Sequence, residues 1–136
     1  MDKEIKDNLI IWVTNPNACG NIVRVGVRLA KEKDAEPVIV NIQKRFTPAM
    51  RDVQIETVEK LESAARSVGC DLTIVYSDNS MEAAFSVIKK LRPVAMVTGM
   101  PATRGKESFI DQIYIFSSKV PLYMVDNSGN AIRTDL

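Results

Sequence analysis

Two polar loops hold the side chains best suited to bind an anionic ligand. The first loop covers residues 14–21 and precedes a predicted helix. Its candidate binding residues are Thr14, Asn15, Pro16 and Asn17. Free N–H groups at a helix N-terminus suit a phosphate, and hydroxyl and amide groups add hydrogen bonds. The same residue types are typical of turns and caps, so a purely structural interpretation stays open for each of them.

The second loop covers residues 99–108 and contains two cations. Gly99 would let a ligand approach the backbone closely because it has no Cβ. Arg104 and Lys106 would neutralise phosphate charge, the former through a forked guanidinium and the latter as a point charge. Ser108 adds a hydroxyl group and is a candidate N-cap of the helix that follows. A solvated surface loop without a ligand is the alternative interpretation.

Histidine is absent from the 136 residues, which excludes Ser-His-Asp and Cys-His nucleophilic systems. The two cysteines are too few for a disulfide framework. The carboxylates near the two loops, Asp78, Glu107 and Asp126, are not grouped for metal binding or paired for acid–base chemistry. We therefore expect a binding protein rather than an enzyme, although slow ATP hydrolysis is compatible with such a protein. No metal site is expected.

Charge is balanced over the whole chain, with 18 Lys plus Arg against 17 Asp plus Glu. Residues 89–106 are uneven, because they contain five cations and no acid. Three of these cations lie at the end of the third predicted helix, where a positive charge interacts favourably with the helix dipole. They precede strand 4 and therefore lie at the edge of the sheet opposite the two polar loops. Only Arg104 and Lys106 remain on the ligand side, so we expect no nucleic-acid surface.

Short apolar runs alternate with segments of helical period. The runs are near-continuous and rich in β-branched residues, which is typical of strands covered on both faces. They comprise residues 9–13, 38–42, 72–76, 94–98 and 122–125, and Trp12 in the first run should be buried. Helices are predicted over residues 21–33, 51–68, 80–91 and 108–118. The second helix has the predicted core stripe Ile55, Val58, Leu61, Ala65 and Val68, and Ser80 is the predicted N-cap of the third.

This alternation predicts an α/β fold, a single doubly wound parallel sheet of five strands in the order 3-2-1-4-5 with helices on both faces. Ligands bind such sheets at the carboxyl ends of strands 1 and 4, where the two polar loops lie. We expect residues 1–127 to form one domain and residues 128–136 to form a flexible tail. The last strand, residues 121–126, would be an exposed edge, which favours pairing in a homodimer.

The N-terminal segment is charged and has no apolar signal core. The apolar runs are far shorter than the roughly 20 residues that cross a bilayer. We therefore expect a cytoplasmic protein with no membrane association.

Three stretches resemble the universal stress protein family of nucleotide-binding α/β proteins, and more narrowly the stress-protein-like domain of KdpD-type sensor histidine kinases. These stretches are residues 12–18 with 22–30, residues 35–42, and residues 97–101 with the basic loop after them. In the family that this chain resembles, the members that bind ATP usually carry the pattern Gly-x2-Gly-x9-Gly-Ser/Thr after strand 4. Gly99 fills the first position of that pattern, and Ala102, Gln112 and Ile113 occupy the others.

The resemblance implies a nucleotide-sensing module in signalling or stress response, with ATP, AMP or cyclic di-AMP as candidate ligands. An adenine nucleotide would lie between strands 1 and 4, with its phosphates at the second loop and its base at the backbone near Asn41. The alternative is a related module that binds no nucleotide and serves in dimerisation or partner interaction.

Overall fold

Six strands and four helices make up the computed structural model, which describes residues 7–15, 19–45, 47–100 and 108–133. The strands are β1 Asp7–Trp12, β2 Ala35–Gln43, β3 Asp71–Tyr76, β4 Ala95–Gly99, β5 Leu122–Val125 and β6 Ala131–Arg133. The helices are α1 Gly20–Glu32, α2 Arg51–Val68, α3 Ser80–Leu91 and α4 Phe109–Phe116, and a 3₁₀ turn at Pro48–Met50 precedes α2. No helix within these described ranges combines the length and the apolar character needed to cross a membrane.

All six strands belong to one sheet with the order β3-β2-β1-β4-β5-β6. The first five strands are parallel and follow the predicted order, because each is joined to the next through a helix that covers one face. The expected total of five strands was wrong. β6 pairs antiparallel with β5, placing Tyr123 opposite Arg133 and Val125 opposite Ala131.

The sixth strand changes the edge of the sheet. Residues 126–130 reverse the chain after β5, so the segment that follows returns along the strand and hydrogen bonds to it. Three residues of the expected tail therefore lie in the sheet, and β5 has a neighbour on each side. The expectation that residues 121–126 form an exposed edge was wrong, and the edge on this side is β6.

Two apolar layers flank the sheet. Alternate side chains of β1, such as Leu9 and Ile11, pack on one face with α1 and α2. The side chains between them, Ile10 and Trp12, pack on the other face with α3 and α4. Trp12 is 2% exposed, as predicted, and its indole N–H donates to the Met96 sulfur at 3.4 Å. The central strand β1 is thus fixed on both faces, which holds the loop after it in position.

Two local details of the helices differ from the sequence prediction. Ile55 is 43% exposed, whereas its neighbour Gln54 is only 5% exposed and donates its amide N–H to the Lys44 carbonyl. Gln54 therefore takes the inward position that the pattern assigned to Ile55. The N-cap of α3 is Asn79 rather than Ser80, because the Asn79 side chain accepts the Glu82 N–H at 3.0 Å.

Candidate functional site

A cavity of about 800 Å³ opens at the carboxyl ends of β1, β4 and β5, beside the N-terminus of α1. Parallel strands ending together leave such a crevice where the connections to the two sides of the sheet diverge. Its described lining residues come from the β1–α1 loop, the start of α1, the end of β4, the start of α4 and the turn after β5. They are Thr14, Asn15, Gly20, Asn21, Ile22, Arg24, Thr98, Gly99, Met100, Ser108, Phe109, Ile110, Val125, Asp126 and Asn127.

Four of the residues singled out from the sequence line this cavity: Thr14, Asn15, Gly99 and Ser108. They come from two loops more than 80 residues apart, which the pairing of β1 with β4 brings together. The four other loop residues in the prediction, Pro16, Asn17, Arg104 and Lys106, lie outside the described residues.

Asn41 does not line the cavity. The residue is 3% exposed in β2, and its amide N–H donates to the Val13 carbonyl at 2.7 Å. This hydrogen bond ties the end of β1 to β2 and holds the side chain within the fold. The structure therefore gives Asn41 a role in positioning the strand that leads into the first loop.

The N-terminus of α1 faces the cavity, and the side chain at its N-cap position does not cap it. Cys19 occupies the N-cap position and makes no capping hydrogen bond, and the first turn contains no acidic residue. Gly20, Asn21 and Ile22 of this turn line the cavity. Backbone N–H groups at such a position carry partial positive charge. Burial raises the pKa of the Cys19 thiol, which keeps it protonated and argues against a nucleophilic role.

Ser108 is partly committed to the fold. Its hydroxyl oxygen accepts the Asp111 N–H at 3.1 Å, which is the predicted N-cap of α4. The same hydroxyl donates to the Asp111 carboxylate. The start of α4 is therefore capped internally, in contrast to the start of α1.

Asp126 shapes the turn that closes one side of the cavity. Its carboxylate accepts the N–H groups of Ser128 and Asn130, each at 2.9 Å. The hydrogen bonds from Asn130 and Ser128 hold the pKa of the Asp126 carboxyl below its ordinary value. Gly129 has a φ of +83°, the left-handed conformation that this hairpin requires. The carboxylate is thus occupied as a turn residue, which makes it a poor candidate for acid–base chemistry or metal binding.

Besides Thr98, three polar lining residues were missed by the sequence prediction: Asn21, Arg24 and Asn127. The Arg24 guanidinium donates to the Asn21 side-chain oxygen. The Asn21 amide N–H in turn donates to the Asn127 carbonyl at 3.4 Å. The spacing of three between Asn21 and Arg24 is the only sequence signal for this group, because it places both on one side of a helix.

No protein-family model matches the sequence, and no curated protein matches it. Solved structures do match. A universal stress protein from Archaeoglobus fulgidus aligns with a TM-score of 0.68 and 15% identity, over 88% of this chain and 93% of that chain. Its structure in complex with dAMP gives a TM-score of 0.64 and 14% identity, over 88% and 97%.

Two further matches come from other sources. A universal stress protein family protein from Arabidopsis thaliana with AMP bound aligns with a TM-score of 0.54 and 14% identity, over 88% of this chain and 91% of that chain. A deacetylase of teicoplanin biosynthesis, in complex with teicoplanin, aligns at 0.58 and 10% identity, over 86% and 68%. These structural alignments show the fold alone: the chain has the α/β fold of universal stress proteins. The narrower resemblance to the KdpD-type domain stays a prediction.

Proposed function

We propose that this chain is a nucleotide-binding module that holds an adenine nucleotide in the cavity at the ends of β1 and β4. The observation that carries the proposal is the cavity itself, which has a volume of about 800 Å³ and is bordered by the start of α1, whose first turn contains no acidic residue. A phosphate placed there would meet backbone N–H groups and the positive end of the helix dipole. Two proteins of the same fold are described with dAMP and AMP, which supports the choice of an adenine nucleotide.

The described residues divide into two groups in this proposal. Thr14 and Asn15 would donate or accept hydrogen bonds on the β1 side. Gly99 would allow the ligand to lie close to the backbone on the β4 side. A Cβ at Gly99 would come within 2.8 Å of the Ile22 side chain, so the missing Cβ also allows α1 to pack against β4. Pro16 and Asn17 belong to the β1 side of the proposed site, and Arg104, Lys106 and Ser108, together with Gly99, would hold the phosphates.

Binding without turnover is the expected activity. The chain has no histidine, and the one described carboxylate that lines the cavity, Asp126, is held by N–H groups of its own turn. General acid–base catalysis needs a group with a free proton-accepting position near the reacting atoms.

Calorimetric titration of the purified protein with ATP, AMP and cyclic di-AMP tests the proposal. We expect heat of binding for at least one adenine nucleotide, and no heat at millimolar concentrations of all three would refute it. A Gly20→Asp variant sharpens the test. An acid in the first turn stabilises a helix by roughly 0.3–1 kcal/mol, yet it would repel a bound phosphate. The neutral Gly20→Asn variant is the matched control, and a Cβ at this position meets nothing within 4 Å.

A dimerisation or partner-interaction module is the second candidate. The observation that favours it is the open edge of β6, where Ile132 is 49% exposed. Pairing through this edge would extend the sheet into a second copy. Sedimentation equilibrium tests this proposal, because a monomer at high protein concentration would exclude the homodimer. The two candidate functions are compatible with each other.

A further inference from the structure

We propose that Arg24 selects a phosphate-bearing ligand in the cavity by binding the phosphate directly through its guanidinium group. This inference rests on the proposed nucleotide-binding function and adds the residue that distinguishes a nucleotide from an uncharged nucleoside.

The first observation behind this proposal concerns the charged residues that line the cavity. Among the described residues that line the cavity, Arg24 is the sole cation and Asp126 the sole acid. The Asp126 carboxylate accepts hydrogen bonds from the backbone of Ser128 and Asn130 and from the Asn130 amide, the last at 3.4 Å. No ion pair within the described ranges involves Arg24. The positive charge of Arg24 is therefore not neutralised by the carboxylate that shares its cavity.

The second observation concerns the position of the Arg24 guanidinium. Arg24 lies on the second turn of α1, is exposed, and donates to the side-chain oxygen of Asn21. Asn21 also contacts the turn after β5, because its amide N–H donates to the Asn127 carbonyl at 3.4 Å and a Cβ at Gly129 would lie 3.8 Å from its side chain. The turn after β5 thus contacts Asn21, and the hydrogen bond to Asn21 places the guanidinium at the rim of the cavity.

The chemistry of arginine identifies the ligand group. A guanidinium has five N–H donors in a planar fork, which matches two oxygens of one phosphate. The Asn21 oxygen is a neutral acceptor, and a charge-assisted bond to phosphate is roughly twice as strong as a neutral one. A phosphate can therefore share or replace the contact with Asn21. An uncharged nucleoside would gain nothing from Arg24.

The chain offers a matched control for this assignment. Arg28 is also exposed and lies one turn further along α1, but it does not line the cavity. Arg24→Gln and Arg28→Gln remove the same charge from the same face of one helix. Only the first variant removes the proposed phosphate contact.

Calorimetric titrations with AMP and with adenosine, on the wild type and both variants, give the test. We expect Arg24→Gln to weaken AMP binding about 10- to 100-fold, the range for a lost charge-assisted hydrogen bond, and to change adenosine binding less than about twofold. Arg28→Gln should leave both affinities within about twofold. Arg24→Lys should restore part of the loss, since it keeps the charge and loses the fork. Thermal unfolding of each variant verifies that it folds.

The outcomes separate this inference from the proposed function. Equal AMP affinity in the wild type and Arg24→Gln would overturn the role of Arg24 and leave nucleotide binding intact. An equal loss of AMP and adenosine would overturn it as well. A titration with inorganic pyrophosphate, in which NMR follows the Arg24 Nε–H signal, tests the anion site in the case that no nucleotide binds. If no nucleotide binds but pyrophosphate shifts that signal, the anion site stands and the nucleotide proposal fails. If neither occurs, both fail.

Discussion

Gly26 is the position where α1 comes closest to the sheet, and its replacement by alanine should destabilise the protein. A Cβ built at Gly26 would lie 2.5 Å from Cδ1 and 2.6 Å from Cγ1 of Ile11. Carbon atoms in ordinary contact are about 3.5–4.0 Å apart, so both distances are about 1 Å too short. Ile11 has no exposed surface and lies between Ile39 of β2 and Val97 of β4. It has little space into which it can move.

The change in the free energy of unfolding of Gly26→Ala is the sum of two opposing effects. Overpacking a close-packed core costs typically about 1–3 kcal/mol, and two contacts below 3 Å place Gly26→Ala at the upper end. Alanine favours the helix over glycine by about 1 kcal/mol, which offsets part of the cost. We expect a net loss of about 2 kcal/mol, which corresponds to a decrease in Tm of roughly 6–10 °C for a chain of this size.

Urea unfolding measures this loss of stability. The slope of the unfolding free energy against urea concentration should be the same in the variant and the wild type. Gly20→Ala is the control, because a Cβ at Gly20 meets no atom within 4 Å, so this substitution has the gain in helix propensity without the clash and should be neutral to slightly stabilising. Ile11→Val removes Cδ1, the nearer of the two atoms, so Gly26→Ala should cost less in that background than in the wild type. A Gly26→Ala protein as stable as the wild type would show that α1 is not pressed against β1 as described.

Three further predictions concern the residues around the cavity. Asn41→Ala should lower the free energy of unfolding by about 1–3 kcal/mol in urea titrations, because it leaves the buried Val13 carbonyl without its 2.7 Å partner; an unchanged midpoint would refute this. Asp126→Asn should destabilise the protein at neutral pH only. Since folding lowers the pKa of Asp126, its stabilisation is present above the ordinary carboxyl pKa near about 4 and is lost as the pH falls through the folded value, so a difference that persists at low pH would contradict the reasoning. Asn21→Ala should speed amide exchange in Ala131–Arg133 about two- to fivefold, and unchanged exchange would show that the turn does not depend on α1.

Local pattern was sufficient for most of the fold. The predicted bounds of α2 and α3 and of the strand Leu122–Val125 coincide with the observed ones. The order of the first five strands also agrees, since right-handed crossovers leave few alternatives for alternating strands and helices. β6 was missed because Ala131–Arg133, with three residues, is too short to show a strand period. It becomes a strand because the open edge of β5 lies beside it.

The sequence likewise predicted part of the candidate site but not all of it. Thr14, Asn15, Gly99 and Ser108 follow from position alone, since polar residues after strands 1 and 4 of a doubly wound sheet reach the same crevice. Ile55 shows the limit of a helical period. Its predicted burial was wrong: the adjacent Gln54 is buried instead and hydrogen bonds to the preceding loop, a contact that no helical period records.

The sequence by itself determined the layers, because side chains alternate with a period of two in strands and about 3.6 in helices whatever surrounds them. The tertiary structure alone decided which surfaces meet. Asn21 and Asn127 are 106 residues apart and hydrogen bond to each other, and no local pattern records that contact. The contact arises because β5 continues into a hairpin that returns beside α1. This packing places Arg24 at the cavity rim, whereas the tight turn at residues 126–130 satisfies the Asp126 carboxylate.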